Sequence, residues 1–108
     1  MRTLSVYYNN IKAGRLVEIK PGGKCEFEYD SSYLVSDNPS ISLTMPKRDM
    51  PYKSDSLFPF FTNLLPEGSN RKAICRHFKI DEEDLFSLLE AMAGKDFIGA
   101  VELRKENS

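Results

Sequence analysis

The hydrophobic pattern changes period along the chain. Leu4, Val6 and Tyr8 alternate with Thr3, Ser5 and Tyr7, the period of two expected of a strand. Asn9-Asn10 follows, a pair that tolerates the positive φ of a tight turn. A second strand is predicted over 11–19, with Gly14 bending it or letting another backbone come close. Pro21-Gly22-Gly23 is the next turn. The third strand is the clearest: Cys25, Phe27 and Tyr29 face one way, and Lys24, Glu26, Glu28 and Asp30 the other. Together these segments read as a meander with one wet face.

The middle is irregular. Asp37-Asn38-Pro39-Ser40 is turn chemistry, Ile41-Ser42-Leu43 reads as a short strand ending at Met45-Pro46, and 47–53, with Pro51 inside it, reads as a loop. Helical spacing then takes over. Leu57, Phe60, Phe61 and Leu64 stand on one helix face; with Ser56 as N-cap, Pro59 falls in the first turn, where its missing N–H costs no bond. A second helix is predicted over 69–79, burying Ile74 and Phe78. In a third, Asp81 caps, Glu82, Glu83 and Asp84 suit the positive end of the dipole, Leu85, Leu88, Leu89 and Met92 form the buried stripe, and Gly94 stops it. A closing strand over 98–104 and a frayed end, Glu106-Asn107-Ser108, complete the chain. The predicted class is α+β: an N-terminal antiparallel β meander, then about three short helices, then a C-terminal strand returning to the sheet. One domain over 1–108 is expected, with no internal repeat.

Composition narrows the function classes. The chain has 108 residues, 41% hydrophobic and 29% charged, with 15 Lys+Arg against 16 Asp+Glu and a net charge of −1. That balance fits a globular protein and opposes a role in coating nucleic acid or an anionic membrane. No apolar run approaches the ~20 residues of a membrane span, and Met1-Arg2-Thr3-Leu4-Ser5 lacks the apolar core of a signal peptide. The expected compartment is the cytoplasm, with no membrane partner.

Catalytic machinery is hard to find. Cys25 and Cys75 form no CxxC, His77 is the one imidazole, and three candidate ligands without usable spacing do not make a zinc site. The thiols read as buried and reduced, with nothing to support a disulfide. His77, between Arg76 and Phe78, reads as structural rather than as a base. No GxSxG or HExxH occurs. Gly94 and Gly99 stand at P-loop separation, but Ala100-Val101 follows where a Lys-Ser/Thr pair is required. The expectation is no enzyme, no metal and no cofactor.

Charge is locally uneven. Lys53, Arg71, Lys72 and Arg76 concentrate positive charge ahead of the acidic helix start. A solvated helix face explains them; a phosphate or RNA site is the alternative, and sequence-specific DNA reading does not fit the acidic helix that follows. The most informative stretch is Phe61-Thr62-Asn63-Leu64-Leu65-Pro66-Glu67-Gly68. A helix ends here on apolar side chains and a Pro-Glu-Gly turn. With only part of the leucines on the buried stripe, Leu65 is expected to face outward. The turn reads either as a corner packed inside the domain or as a partner-binding anchor.

This stretch resembles the signature of the N-terminal subdomain of HipA-type Ser/Thr kinase toxins. Val6 with Gly14-Arg15-Leu16 is similar to that family's first hairpin, Ile41-Ser42-Leu43-Thr44-Met45-Pro46 to its Ser-Leu-x-x-Pro segment, and Lys95-Asp96-Phe97-Ile98-Gly99-Ala100-Val101 to its closing Asp-x-x-Gly-Ala-Val strand. The sequence stops at Ser108, without the family's nucleotide loop, catalytic Asp or magnesium ligands. The resemblance therefore implies the split HipBST arrangement, in which a small HipS antitoxin corresponds to the subdomain missing from the kinase HipT and HipB binds DNA. It implies a HipA/HipT-like Ser/Thr kinase as partner, with a HipB-like protein as a further member of the complex and no direct nucleic-acid contact. Leu64, Leu65 and Pro66 are the expected apolar anchors, Asn63 and Glu67 polar contacts, Gly68 part of the turn, and Arg71 a charge partner. A structural subdomain bracing a longer HipA-type kinase is the alternative.

Overall fold

Strand period and turn chemistry combine first into a hairpin. In a computed structural model describing residues 1–94 and 100–106, β1 (Arg2–Tyr8) and β2 (Ile11–Glu18) pair antiparallel, Tyr8 opposite Ile11. Asn9 and Asn10 take φ of 49° and 67°, the left-handed pair that matches strand twist. The register shifts between Val6 and Tyr7, leaving Ala13 without a cross-strand partner in β1. Its carbonyl instead accepts the Asp30 amide at 2.8 Å. This bulge sits beside Gly14, where β3 (Cys25–Tyr29) passes so close that a Cβ would lie 2.2 Å from the Glu28 carbonyl oxygen. Of the two roles the sequence offered Gly14, close approach is clear. Gly14→Ala should lower stability by about 2–3 kcal/mol, because the obstacle is backbone and cannot rotate away. A urea melt would show a lower midpoint at unchanged slope; an unaltered midpoint would mean the strands do not come this close.

The sheet runs β4-β3-β2-β1-β5, antiparallel throughout, with β4 (Tyr52–Ser54) and β5 (Val101–Lys105) at its edges. β4 was expected to be loop: Pro51 argued against a strand, yet an edge strand tolerates a proline at its start. Conversely, the strand expected at 41–43 is a turn, held by one isolated Ser42–Met45 bridge. Leu4, Val6, Leu16, Phe27 and Leu103 are wholly buried on one sheet face. The other face carries ion pairs such as Arg104–Glu102 at 2.9 Å.

Four helices are present among the described residues, one more than expected. The addition is the single turn α1 (Ser31–Leu34), which buries Tyr33. α2 (Pro59–Thr62) is shorter than expected and is preceded by Phe58, not Ser56, at the N-cap position. The residue before a proline is pushed to extended backbone; Phe58 has ψ of 140°, which excludes 57 and 58 from the helix. The buried face accordingly turns toward Phe58, Phe61 and Leu65.

α3 (Gly68–Phe78) buries Cys75, whereas Ile74 is half-buried and Phe78 is exposed. A left-handed Lys79, φ 59°, and an Ile80 amide bonded to the Cys75 carbonyl at 2.8 Å end the helix in a Schellman-type turn. That sharp reversal lifts Phe78 off the core, and its ring meets His77 edge-on at 4.8 Å. α4 (Leu85–Met92) buries Phe86, Leu88 and Leu89. Its cap is Asp84, whose carboxylate accepts the Ser87 amide; Asp81 instead organises the preceding turn by accepting the Glu83 amide at 2.9 Å. Leu85 and Met92 are half-buried. The expected path over 95–99, including the Gly99 end of the glycine pair and the Ile98 strand start, lies outside the described residues, as do Asn107 and Ser108. No helix among the described residues is long and apolar enough to cross a membrane.

Candidate functional site

Local backbone bonding builds the turn that the sequence singled out. Past α2 the chain tightens into i→i+3 bonds, Leu64 amide to Phe61 carbonyl and Leu65 amide to Thr62 carbonyl, both at 3.1 Å. Glu67 is then extended, and Gly68, at φ 61°, turns the backbone into α3. The Arg71 side chain reaches back to donate Nε–H to the Pro66 carbonyl at 2.8 Å. One turn of α3 thus braces the corner from within.

This geometry sorts the expected anchors. Asn63, Glu67 and Gly68 are exposed, while Leu64 and Pro66 are half-buried. Leu65 does not face outward: it is 5% exposed and belongs to the core with Phe61. The tightened turn directs it inward, where its burial contributes roughly 1.5–3 kcal/mol. Arg71 is half-buried and spends one donor on the backbone, yet meets no carboxylate among the described residues, so its charge stays available.

The four cations of the phosphate alternative are not drawn together. Lys53 lies on β4 opposite Glu26, while Arg71, Lys72 and Arg76 belong to α3. An open cavity of about 450 Å³ between Lys72, Arg76 and Lys79 also has Asp81 and Glu82 in its lining, which oppose an anion. No His, Cys, Asp and Glu cluster among the described residues could hold a metal ion. Cys25 and Cys75 are free and buried. Burial, then the nearby Glu18 charge, pushes the Cys25 thiol up to about 11, far from the range of a thiolate nucleophile.

Two features escaped the sequence reading. Arg2 gathers Glu18, Asp84 and Glu90 around one guanidinium, joining β1 and β2 to α4. Leu43, expected on a short strand, stands instead in a turn that ejects it into solvent, fully exposed. The signal for it was present in Ser42 and Thr44, which flank it with turn-forming hydroxyls.

A family model of the HipA N-terminal domain matches residues 4–104. A solved structure of the N-terminal domain of HipA toxin superposes with a TM-score of 0.73 at 30% identity, covering 100% of this chain and 95% of that one. An uncharacterized protein of Haemophilus influenzae (strain ATCC 51907 / DSM 11121 / KW20 / Rd) is 36% identical over 80 residues, 74% of this chain and 72% of its own length. Putative kinase Y4mE of Sinorhizobium fredii (strain NBRC 101917 / NGR234) is 30% identical over 108 residues, 99% of this chain but 25% of the kinase. The chain thus spans about a quarter of that relative. The family model covering most of the chain and the full-length structural match show that the chain belongs to the HipA N-terminal domain family.

Proposed function

We propose that this chain is a non-catalytic docking module, HipS-like, that binds a HipA/HipT-type Ser/Thr kinase core in trans and restrains it as an antitoxin in the cytoplasm. The observation that carries the reading is the pairing of coverages. Nearly all of this chain aligns with one quarter of a putative kinase, while a relative of which 80 residues make up 72% is itself a small protein. A domain found both joined to a kinase and as most of a small protein is suited to meeting the kinase core across a non-covalent interface.

Asn63, Leu64, Pro66 and Glu67 offer a polar ridge with two half-buried apolar residues, and Arg71 supplies charge beside it. Leu65 contributes by holding the ridge from below. A HipB-like DNA-binding protein is the further member of the proposed complex. Purified together, this chain and a HipA-family kinase core lacking its own N-terminal domain should form a one-to-one complex at micromolar concentrations, with kinase autophosphorylation suppressed. Separate elution and undiminished phosphorylation would defeat the proposal. The second reading, a subdomain bracing its own kinase in cis, draws on the same alignment to the longer relative. It requires continuous coding beyond Ser108.

A further inference from the structure

The segment 41–45 is built like a presentation device. Ile41 and Met45, at 5% and 4% exposure, plug both ends into the core. Between them the Tyr29 hydroxyl acts as a clamp: it accepts the Ile41 amide at 3.0 Å and donates to the Met45 carbonyl. The Met45 amide closes the turn on the Ser42 carbonyl at 3.1 Å, and the Ser42 and Thr44 hydroxyls lie 2.9 Å apart. Lys47 extends the bracing, its amide donating to Ser40 Oγ at 2.9 Å and its ammonium to the Ser36 and Asn38 carbonyls at 2.8 Å.

At the tip of this fixed turn stands Leu43, fully exposed. Its φ is not positive, so the backbone sets no special demand there that a polar residue would fail to meet. An exposed leucine is ordinarily unremarkable. Here the backbone beneath it is already ordered, so covering the side chain incurs little further entropy loss, the condition that makes an anchor effective. Leu65, the anchor expected from sequence, is by contrast consumed by the core.

We infer that Leu43 is the principal apolar anchor by which this module seats on a HipA-type kinase core, inserting into an apolar pocket with the Ser42 and Thr44 hydroxyls as its polar rim. The inference rests on the docking reading above. In the longer relative, a putative kinase, three quarters of the polypeptide lies outside the part equivalent to this chain, and that remainder is the occupant assigned to Leu43.

The test compares the parent chain with Leu43→Asp and Leu43→Met, titrated against a HipA-family kinase core from which the N-terminal domain has been removed. Melting temperatures should agree within about 2 °C, since a fully exposed side chain leaves the core untouched. Binding by Leu43→Asp should weaken roughly 30-fold or more, while Leu43→Met stays within about threefold of the parent. If the parent binds and Leu43→Asp binds within about threefold, the anchor assignment falls and docking stands. If the parent does not bind, both fall. A parent that sediments as a dimer and becomes monomeric with Leu43→Asp, while kinase binding persists, would assign Leu43 to a second copy of this chain and overturn the kinase as its occupant.

Discussion

Leu65→Asp should abolish the folded state, and Leu65→Ala should lower unfolding free energy by about 2–4 kcal/mol. Leu65 is 5% exposed among Phe61 and the sheet residues of the core. Removing it leaves a cavity next to aromatic rings that already pack edge-on, Phe60 to Phe61 at 5.2 Å. An aspartate there also buries a carboxylate among apolar core residues, and the two losses together approach the roughly 5–15 kcal/mol that holds a domain of this size. Circular dichroism of Leu65→Asp at 25 °C should show lost tertiary signal, with urea melts quantifying the alanine variant. Leu64→Asp, one position away but half-buried, should cost about 1 kcal/mol. If Leu65→Asp melted within a few degrees of the parent, the inward placement of Leu65 would be wrong. The contrast also bears on function: a Leu65 variant that fails to bind a kinase reports unfolding, whereas Leu43 separates binding from folding.

Arg2→Ala should be the most damaging change to a charged side chain, lowering stability by about 3 kcal/mol. Arg2 Nε donates to Glu18 Oε1 at 2.7 Å, Nη1 to Glu90 Oε1 at 3.0 Å and Nη2 to Asp84 Oδ1 at 3.2 Å. Glu18 is 3% exposed, and its other oxygen accepts the Gly22 amide at 3.2 Å. Without Arg2, this largely buried carboxylate keeps one backbone donor and loses its counter-charge. Adding Glu18→Gln to Arg2→Ala should therefore restore about 1 kcal/mol or more, because the orphaned charge is gone. Strict additivity of the two substitutions would show that they act independently.

The same cluster makes stability depend on acid. Burial pushes the Asp84 carboxyl up, but hydrogen bonds from the Ser87 side chain and backbone and from Arg2 outweigh it, leaving Asp84 below its ordinary 3.8. A lowered carboxyl favours the folded state when ionised. Its contribution is complete above 3.8 and is lost as pH falls through the lower folded value. Melts from pH 6 down to roughly pH 2 should show a steeper fall for the parent than for Arg2→Ala, in which part of that coupling is already absent.

The strand region was legible because period and turn chemistry agreed. Asn9-Asn10 could take left-handed backbone, Gly14 could admit a neighbour, and Cys25, Phe27 and Tyr29 shared one face; each is a property of a few adjacent residues. The helical half was legible in existence but not in phase. Pro59 displaced the start of α2 by constraining Phe58, and this rotated the buried face from Leu64 toward Leu65. The roles proposed within 63–71 depended on that phase, and the burial of Leu65 takes it out of the set of exposed anchors.

Alone, the sequence determined the α+β order, the meander and its wet face, the lack of familiar catalytic motifs, and a resemblance that placed the chain near the HipA N-terminal domain. Only the tertiary structure decided that Leu65 faces inward, that Leu43 stands on a clamped turn, and that Arg2 holds three acids from distant segments. The physical reason is range. Periodicity and turn preference act between neighbours and are written in local order. Which side of a short helix is covered, and which loop residue is left outside, follows from contacts such as the Tyr29 clamp on Ile41 and Met45, made between segments that only the folded chain brings together.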